Sequence, residues 1–156
     1  MSAMRLRLTA QVRDEIRAHG VRGYPDEVCG ALLGREIGGE GDGAVREVTA
    51  VVPLENRRED SPRNRFSVTP EDVLKAERAA REQRLELVGW YHTHPDHPAR
   101  PSEFDREHAW PWYSYIILGV AAREPGEMTS WRLADDRSGY AAESIEVSGK
   151  GETGWQ

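Results

Sequence analysis

Apolar and polar positions along this chain alternate between a helical period near 3.6 and a strand period of two. Thr9 can cap a short amphipathic helix in which Val12 and Ile16 stand one turn apart on one face. Gly20 and Gly23 end that helix, and Pro25 stops its continuation. Val28 to Gly34 is an apolar run rich in small residues and predicts a central strand. Gly30 and Ala31 within it are so small that something must pack closely over them. A glycine-rich connection at 38–43 leads to a return strand, Val45 to Leu54, with Pro53 near its end. Asn56 to Arg65 is polar, contains Pro62 and predicts an exposed loop; Phe66 to Val68 predicts a brief strand.

Thr69-Pro70-Glu71-Asp72 is a strong helix start, with a cap, a proline at the first position and acids in the first turn. That helix should run to about Arg84 and bury Val73, Leu74, Ala76 and Ala80. Leu85 to Tyr91 then predicts a buried strand running into a loop, and Pro101-Ser102-Glu103 starts a further helix. Tyr113 to Val120, Met128 to Leu133 and Ser144 to Val147 predict the remaining strands. Helices and strands mix without strict βαβ alternation, and hairpin signals are present. The expected class is therefore α+β (α/β mixed), a mixed, mostly antiparallel curved sheet flanked by helices.

At 156 residues, with 38% hydrophobic and 31% charged, the chain predicts one soluble domain over 1–147 and a frayed polar tail over 148–156. It has no apolar run of eighteen residues, and its first residues lack the apolar core of a signal peptide, so no membrane association is expected. A single cysteine, Cys29, excludes an internal disulfide and any zinc site needing two thiolates; a cytoplasmic location follows as the default. A net charge of −6 without a concentrated basic stripe speaks against nucleic-acid binding.

The candidate chemistry is concentrated in Gly89-Trp90-Tyr91-His92-Thr93-His94-Pro95 and Pro101-Ser102-Glu103-Phe104-Asp105. On a strand, His92 and His94 point to one face about 7 Å apart at Cα, close enough to share one Zn2+. Two half-buried histidines on a sheet face would look the same. Such a pair needs a third ligand, and Asp105, His97 and His108 are all near enough in sequence. Ser102-x-x-Asp105 also reads as a capping box, in which Asp105 serves only the helix end. Glu27, at the mouth of the small-residue strand, is either a solvated end residue or an acid for general-base work. His19, near a helix end, suits a favourable C-terminal charge when protonated.

Glu27-x-Cys29-Gly30-x-Leu32-Leu33, then His92-Thr93-His94-Pro95, seven residues to Ser102 and two more to Asp105, together resemble the JAMM motif. That motif marks the JAB1/MPN/Mov34 metalloprotease superfamily, and the chain is most similar to its compact prokaryotic members, over roughly Leu6 to Val147. The resemblance implies a cytidine-deaminase-like MPN/JAMM core. It implies one Zn2+ per chain on His92, His94 and Asp105, with water at the remaining position. It further implies Glu27 as general base, Ser102 as donor to the oxyanion, and Cys29 as a packing residue. The implied substrate is the C-terminal tail of a ubiquitin-like, sulfur-carrier-type protein. The alternatives are a non-catalytic MPN-type scaffold and a hydrolase of small amides. Arg57, Arg58, Arg63 and Arg65, against Glu59 and Asp60, make the 56–65 loop either a solvated segment or a dock for an acidic partner.

Overall fold

The computed structural model describes residues 4–38, 44–54 and 68–149. Seven strands and three helices follow in the order β1 (Arg5–Thr9), α1 (Ala10–Gly23), β2 (Cys29–Ile37), β3 (Val45–Leu54), α2 (Pro70–Glu82), β4 (Glu86–Pro95), α3 (Glu103–His108), β5 (Ser114–Ala121), β6 (Glu124–Leu133) and β7 (Tyr140–Ser148). The strands form one closed sheet in the order β1-β3-β2-β4-β5-β6-β7. Four pairings are antiparallel (β2 with β3, β2 with β4, β5 with β6, β6 with β7) and three are parallel (β1 with β3, β1 with β7, β4 with β5). The mixed α+β class expected from the sequence is thus the class observed, with the curved sheet closing on itself.

The first strand was not anticipated, although Arg5-Leu6-Arg7-Leu8 alternates in burial, with Leu6 and Leu8 fully buried. It joins β3 and β7, and this pairing completes the closure. Thr9 ends β1 and caps α1, accepting a hydrogen bond from the Val12 amide at 3.0 Å. Helix α1 lies against β1, β3, β4, β5, β6 and β7, so it fills the hollow of the curved sheet. Its Val12 and Ile16 pack with Leu32, Val48, Tyr91, Ile116 and Leu118. A second core lies on the opposite face of the sheet, where Ala76 and Ala80 of α2 meet Cys29, Ala31, Leu33 and Trp90.

Thr69 and Asp72 cap α2 reciprocally, as the sequence predicts. Leu74, expected in the core, is instead 57% exposed. The helix meets the sheet along a narrow stripe of alanines, and Leu74 falls outside it. Val68 is not in a strand; Phe66, Ser67 and the arginine-rich 56–65 loop lie outside the described residues. Ser148, expected in a frayed tail, instead pairs with Thr9 as part of β7, and residues 150–156 lie outside the described residues. Among the described residues no helix is long and apolar enough to cross a membrane.

Strand β4 is longer than the apolar run that announces it. It continues through both histidines to Pro95 because β5 pairs with it in parallel from Gly89 to Pro95. A register shift opposite Leu32 and Leu33 changes which residues of β4 face which core. After it, Trp90 packs on the α2 side and Tyr91 on the α1 side. Alternation then sends His92 and His94 to the α2 side and Thr93 to the α1 side.

Candidate active site

The β2–β4 register sets Cys29 beside His92 and Gly30 beside Tyr91. Gly30 is small because the Tyr91 ring lies over it. A Cβ there would stand 2.3 Å from a ring carbon. Cys29 is buried next to the imidazole, and burial pushes its thiol well above the ordinary range. It is a packing residue, not a nucleophile. Glu27, just before β2, lines the same cleft as Cys29, His92 and Asp105 and is 6% exposed.

His92, His94 and Asp105 converge. Nε2 of His92 lies 3.2 Å from Nε2 of His94, and Oδ2 of Asp105 lies 3.3 Å and 3.1 Å from them respectively. Three ligands bound tetrahedrally to zinc at about 2.0–2.1 Å would stand about 3.3 Å apart, so this triangle has the right size for one such ion. The hydrogen bonding is compatible with such an ion. Nδ1 of His94 lies 2.9 Å from the Pro98 carbonyl, which can only accept, so Nδ1 carries the proton. Nε2 of His94 then faces the Asp105 carboxylate, where it can donate a second proton or bind a metal ion. Among the described residues this is the group of side chains that could hold a metal ion.

Asp105 reaches the histidines because of its helix end. Ser102 Oγ accepts from the Asp105 amide at 3.0 Å, and the Ser102 amide donates to Asp105 Oδ2 at 2.9 Å. The capping box and the ligand geometry, alternatives in the sequence, are both present in one carboxylate. Because Ser102 Oγ accepts within the cap, its own hydroxyl proton is available to the cleft. His97 and His108, the rival third ligands, are exposed and outside the triangle. His97 lines a neighbouring depression with Glu27, His94 and Ser102. His108 faces the Phe104 carbonyl through Nδ1 at 2.9 Å and stacks on the Phe104 ring.

The charges in the cleft are coupled. Burial alone would raise the Asp105 carboxyl, but the imidazoles of His92 and His94 and the Ser102 amide hold it far below the usual range. Burial disfavours a charged His92, yet Asp105 and Glu27 raise its affinity for a proton. Glu27 is raised above an ordinary carboxyl, chiefly by burial; His92 opposes this, Asp105 adds to it and His94 opposes. A carboxyl with raised pKa, facing a metal-sized set of donors, has the properties of a general base.

An apolar groove adjoins the cleft, a feature not anticipated from the sequence. The cleft and the groove share Val68, Trp90, His108 and Tyr115. The exposed large hydrophobics among the described residues, Val68, Leu74, Trp110 (65%) and Trp112 (48%), all line this groove. Trp112 has a φ of 84°, a conformation costly for a bulky residue. Arg46, whose side chain is fully buried, holds it there. Nη1 donates to the Trp112 carbonyl at 2.7 Å, and the guanidinium lies 4.2 Å from the Trp112 ring centre. The Trp-Pro-Trp sequence at 110–112 was the available signal.

With this geometry in view, the chain can be set beside known proteins. Residues 9–134 match the family of prokaryotic homologs of the JAB domain. The chain belongs to this family. A JAB-family relative, the desampylase of Haloferax volcanii, is 34% identical over 151 residues, 94% of this chain and 100% of that protein. A probable TtuB-protein conjugate cleaving protease of Thermus thermophilus is 37% identical over 107 residues, 69% of this chain and 65% of that protein. The solution structure of a protein from Desulfitobacterium hafniense is 33% identical and superposes with a TM-score of 0.78, over 93% of this chain and 94% of that one. These similarities support the JAMM resemblance read from Glu27, His92, His94, Ser102 and Asp105.

Proposed function

We propose that this protein is a zinc metallopeptidase that hydrolyses a peptide or isopeptide bond at the C-terminal tail of a ubiquitin-like, sulfur-carrier-type protein. The observation that carries the reading is the donor triangle of His92, His94 and Asp105, with edges of 3.1 to 3.3 Å, beside the buried carboxyl of Glu27. Zinc held by these three residues would supply a Lewis acid that brings the pKa of water toward about 7. Glu27 takes a proton from the attacking water as its oxygen adds to the scissile carbonyl carbon. The carbon–nitrogen bond then breaks, and Glu27 returns the proton to the leaving amine. The Ser102 hydroxyl donates to the carbonyl oxygen as it gains negative charge.

Two observations support a protein substrate over a small amide. Relatives are named for cleaving protein conjugates, among them the desampylase and the TtuB-conjugate protease. The exposed aromatic groove also runs directly into the cleft, and a contiguous apolar surface of this kind marks a site of protein contact.

The test uses zinc-loaded protein and carrier proteins ending in Gly-Gly, either free, extended by an amino acid, or joined to a lysine side chain. Mass spectrometry should detect release of the extension or the conjugated partner, and Glu27→Gln should abolish release while retaining zinc. If short unrelated peptides are cut as well as the carrier substrates, the substrate class is wrong.

A further inference from the structure

We propose that Thr93 is a positioning residue that holds the main chain at Glu27 in register with the two histidines. The inference rests on the reading of Glu27 as the base. Thr93 lies between His92 and His94 but faces the other side of β4, where it is fully buried. Its Oγ1 accepts a hydrogen bond from the Val28 amide at 2.9 Å. Its own amide donates to the Val28 carbonyl at 3.0 Å. The Val28 amide belongs to the peptide unit that joins Glu27 to Val28, so one residue grips that segment at two points.

The regular β2–β4 register runs as far as Cys29 with His92. One step further, at the approach to Glu27, a side-chain oxygen takes the place of a strand carbonyl as acceptor for Val28. This bond carries the alignment of the two strands beyond the end of β2. Helix α1 presses on the same side chain. A Cβ added at Gly20 would lie 3.0 Å from the Thr93 methyl and 3.0 Å from Leu118 Cδ2. The methyl thus packs against α1 while the hydroxyl faces the Val28 amide. Valine would fill the same space, but it has no acceptor and would leave a buried amide without its partner. The side chain touches no reacting atom; it acts through the placement of Glu27 relative to His92 and His94.

Thr93→Val and Thr93→Ser separate packing from positioning. Valine keeps the methyl and loses the acceptor; serine keeps the acceptor and loses the methyl. Both should keep about one zinc per chain, because the ligands are untouched. Thr93→Val should lose about ten- to a hundredfold in kcat with KM nearly unchanged, the loss expected for a misplaced catalytic group. Thr93→Ser should recover most of that loss. Amide exchange followed by NMR, without substrate, should show Val28 protected in wild type and Thr93→Ser and faster in Thr93→Val. Should the valine variant fail to fold, Thr93→Ala carries the same expectation, with room for water at the Val28 amide.

Unchanged Val28 protection in Thr93→Val overturns the inference. So does wild-type kcat in that variant while Glu27→Gln is inactive. Wild-type turnover by Glu27→Gln itself instead defeats the base assignment, and this inference falls with it.

Discussion

The Tyr91 hydroxyl lies 2.6 Å from Nδ1 of His19, joining β4 to α1 at an edge-on ring contact. Burial raises the Tyr91 hydroxyl far above its ordinary value, so it stays protonated and donates, while His19 accepts. His19 is correspondingly pushed down from 6.5 to about 4, first by burial and then by Arg22. It is not the protonated helix-end charge that its sequence position suggests. The folded protein binds this proton less readily than the unfolded chain does. The contribution of His19 to stability is therefore complete above pH 6.5 and is lost as the pH falls toward about 4. Urea unfolding across this range should show a steeper acid loss in wild type than in His19→Asn, which keeps an acceptor for Tyr91 but does not titrate. Equal slopes would assign the acid sensitivity to other groups.

Metal content tests the donor triangle directly. Freshly purified protein should carry about one zinc per chain, and His92→Ala and Asp105→Ala should each lose it. His97→Ala and His108→Ala should retain it, because both side chains lie outside the triangle. Zinc retained at full occupancy in both His92→Ala and Asp105→Ala would show that the ligands are elsewhere.

The proposed mechanism gives Ser102 a second role beside its helix cap. Removal of its Oγ in Ser102→Ala takes away the cap acceptor for the Asp105 amide, which should cost about 1 kcal/mol of stability. Removal of the hydroxyl donor should lower kcat by about 10²–10³ with a smaller effect on KM. Thermal unfolding and steady-state kinetics on the same variant distinguish these effects. A stability loss with unchanged kcat would confine Ser102 to the helix cap.

The aromatic groove should govern recognition, not chemistry. Combined Trp110→Ala and Trp112→Ala substitution should raise KM for a folded carrier conjugate by about thirtyfold, as for an aromatic contact worth about 2 kcal/mol. A short Gly-Gly peptide, too small to reach the groove, should be cut as before. An equal change for both substrates would mean that the loop supports the cleft instead of receiving a partner.

Much of the local structure was legible in the chain. The caps at Thr9, Thr69 and Ser102 need only residues within one turn, the strands around 28–34, 45–54 and 113–120 show as local apolar runs, and all are present in the fold. Leu74 and β1 were not. Whether Leu74 is buried depends on how narrow a stripe α2 presents to the sheet, and β1 depends on partners about forty and one hundred and forty residues away. The two faces of β4 depend on a register shift against β2, which no local pattern announces.

The clearest division lies between two matching motifs. Thr69-x-x-Asp72 and Ser102-x-x-Asp105 both form reciprocal capping boxes, and in each the aspartate accepts from the cap amide at 2.9 Å. The sequence by itself determined both helix starts, because a cap needs only residues within one turn. The tertiary structure alone decided that Asp105 also faces two imidazoles while Asp72 does not. That difference arises because β5 pairs with β4 through Pro95, keeping His92 and His94 on one strand face toward the start of α3. A carboxylate becomes a candidate metal ligand through what the fold sets opposite it, and that partner is fixed by long-range pairing, not by its neighbours in the chain.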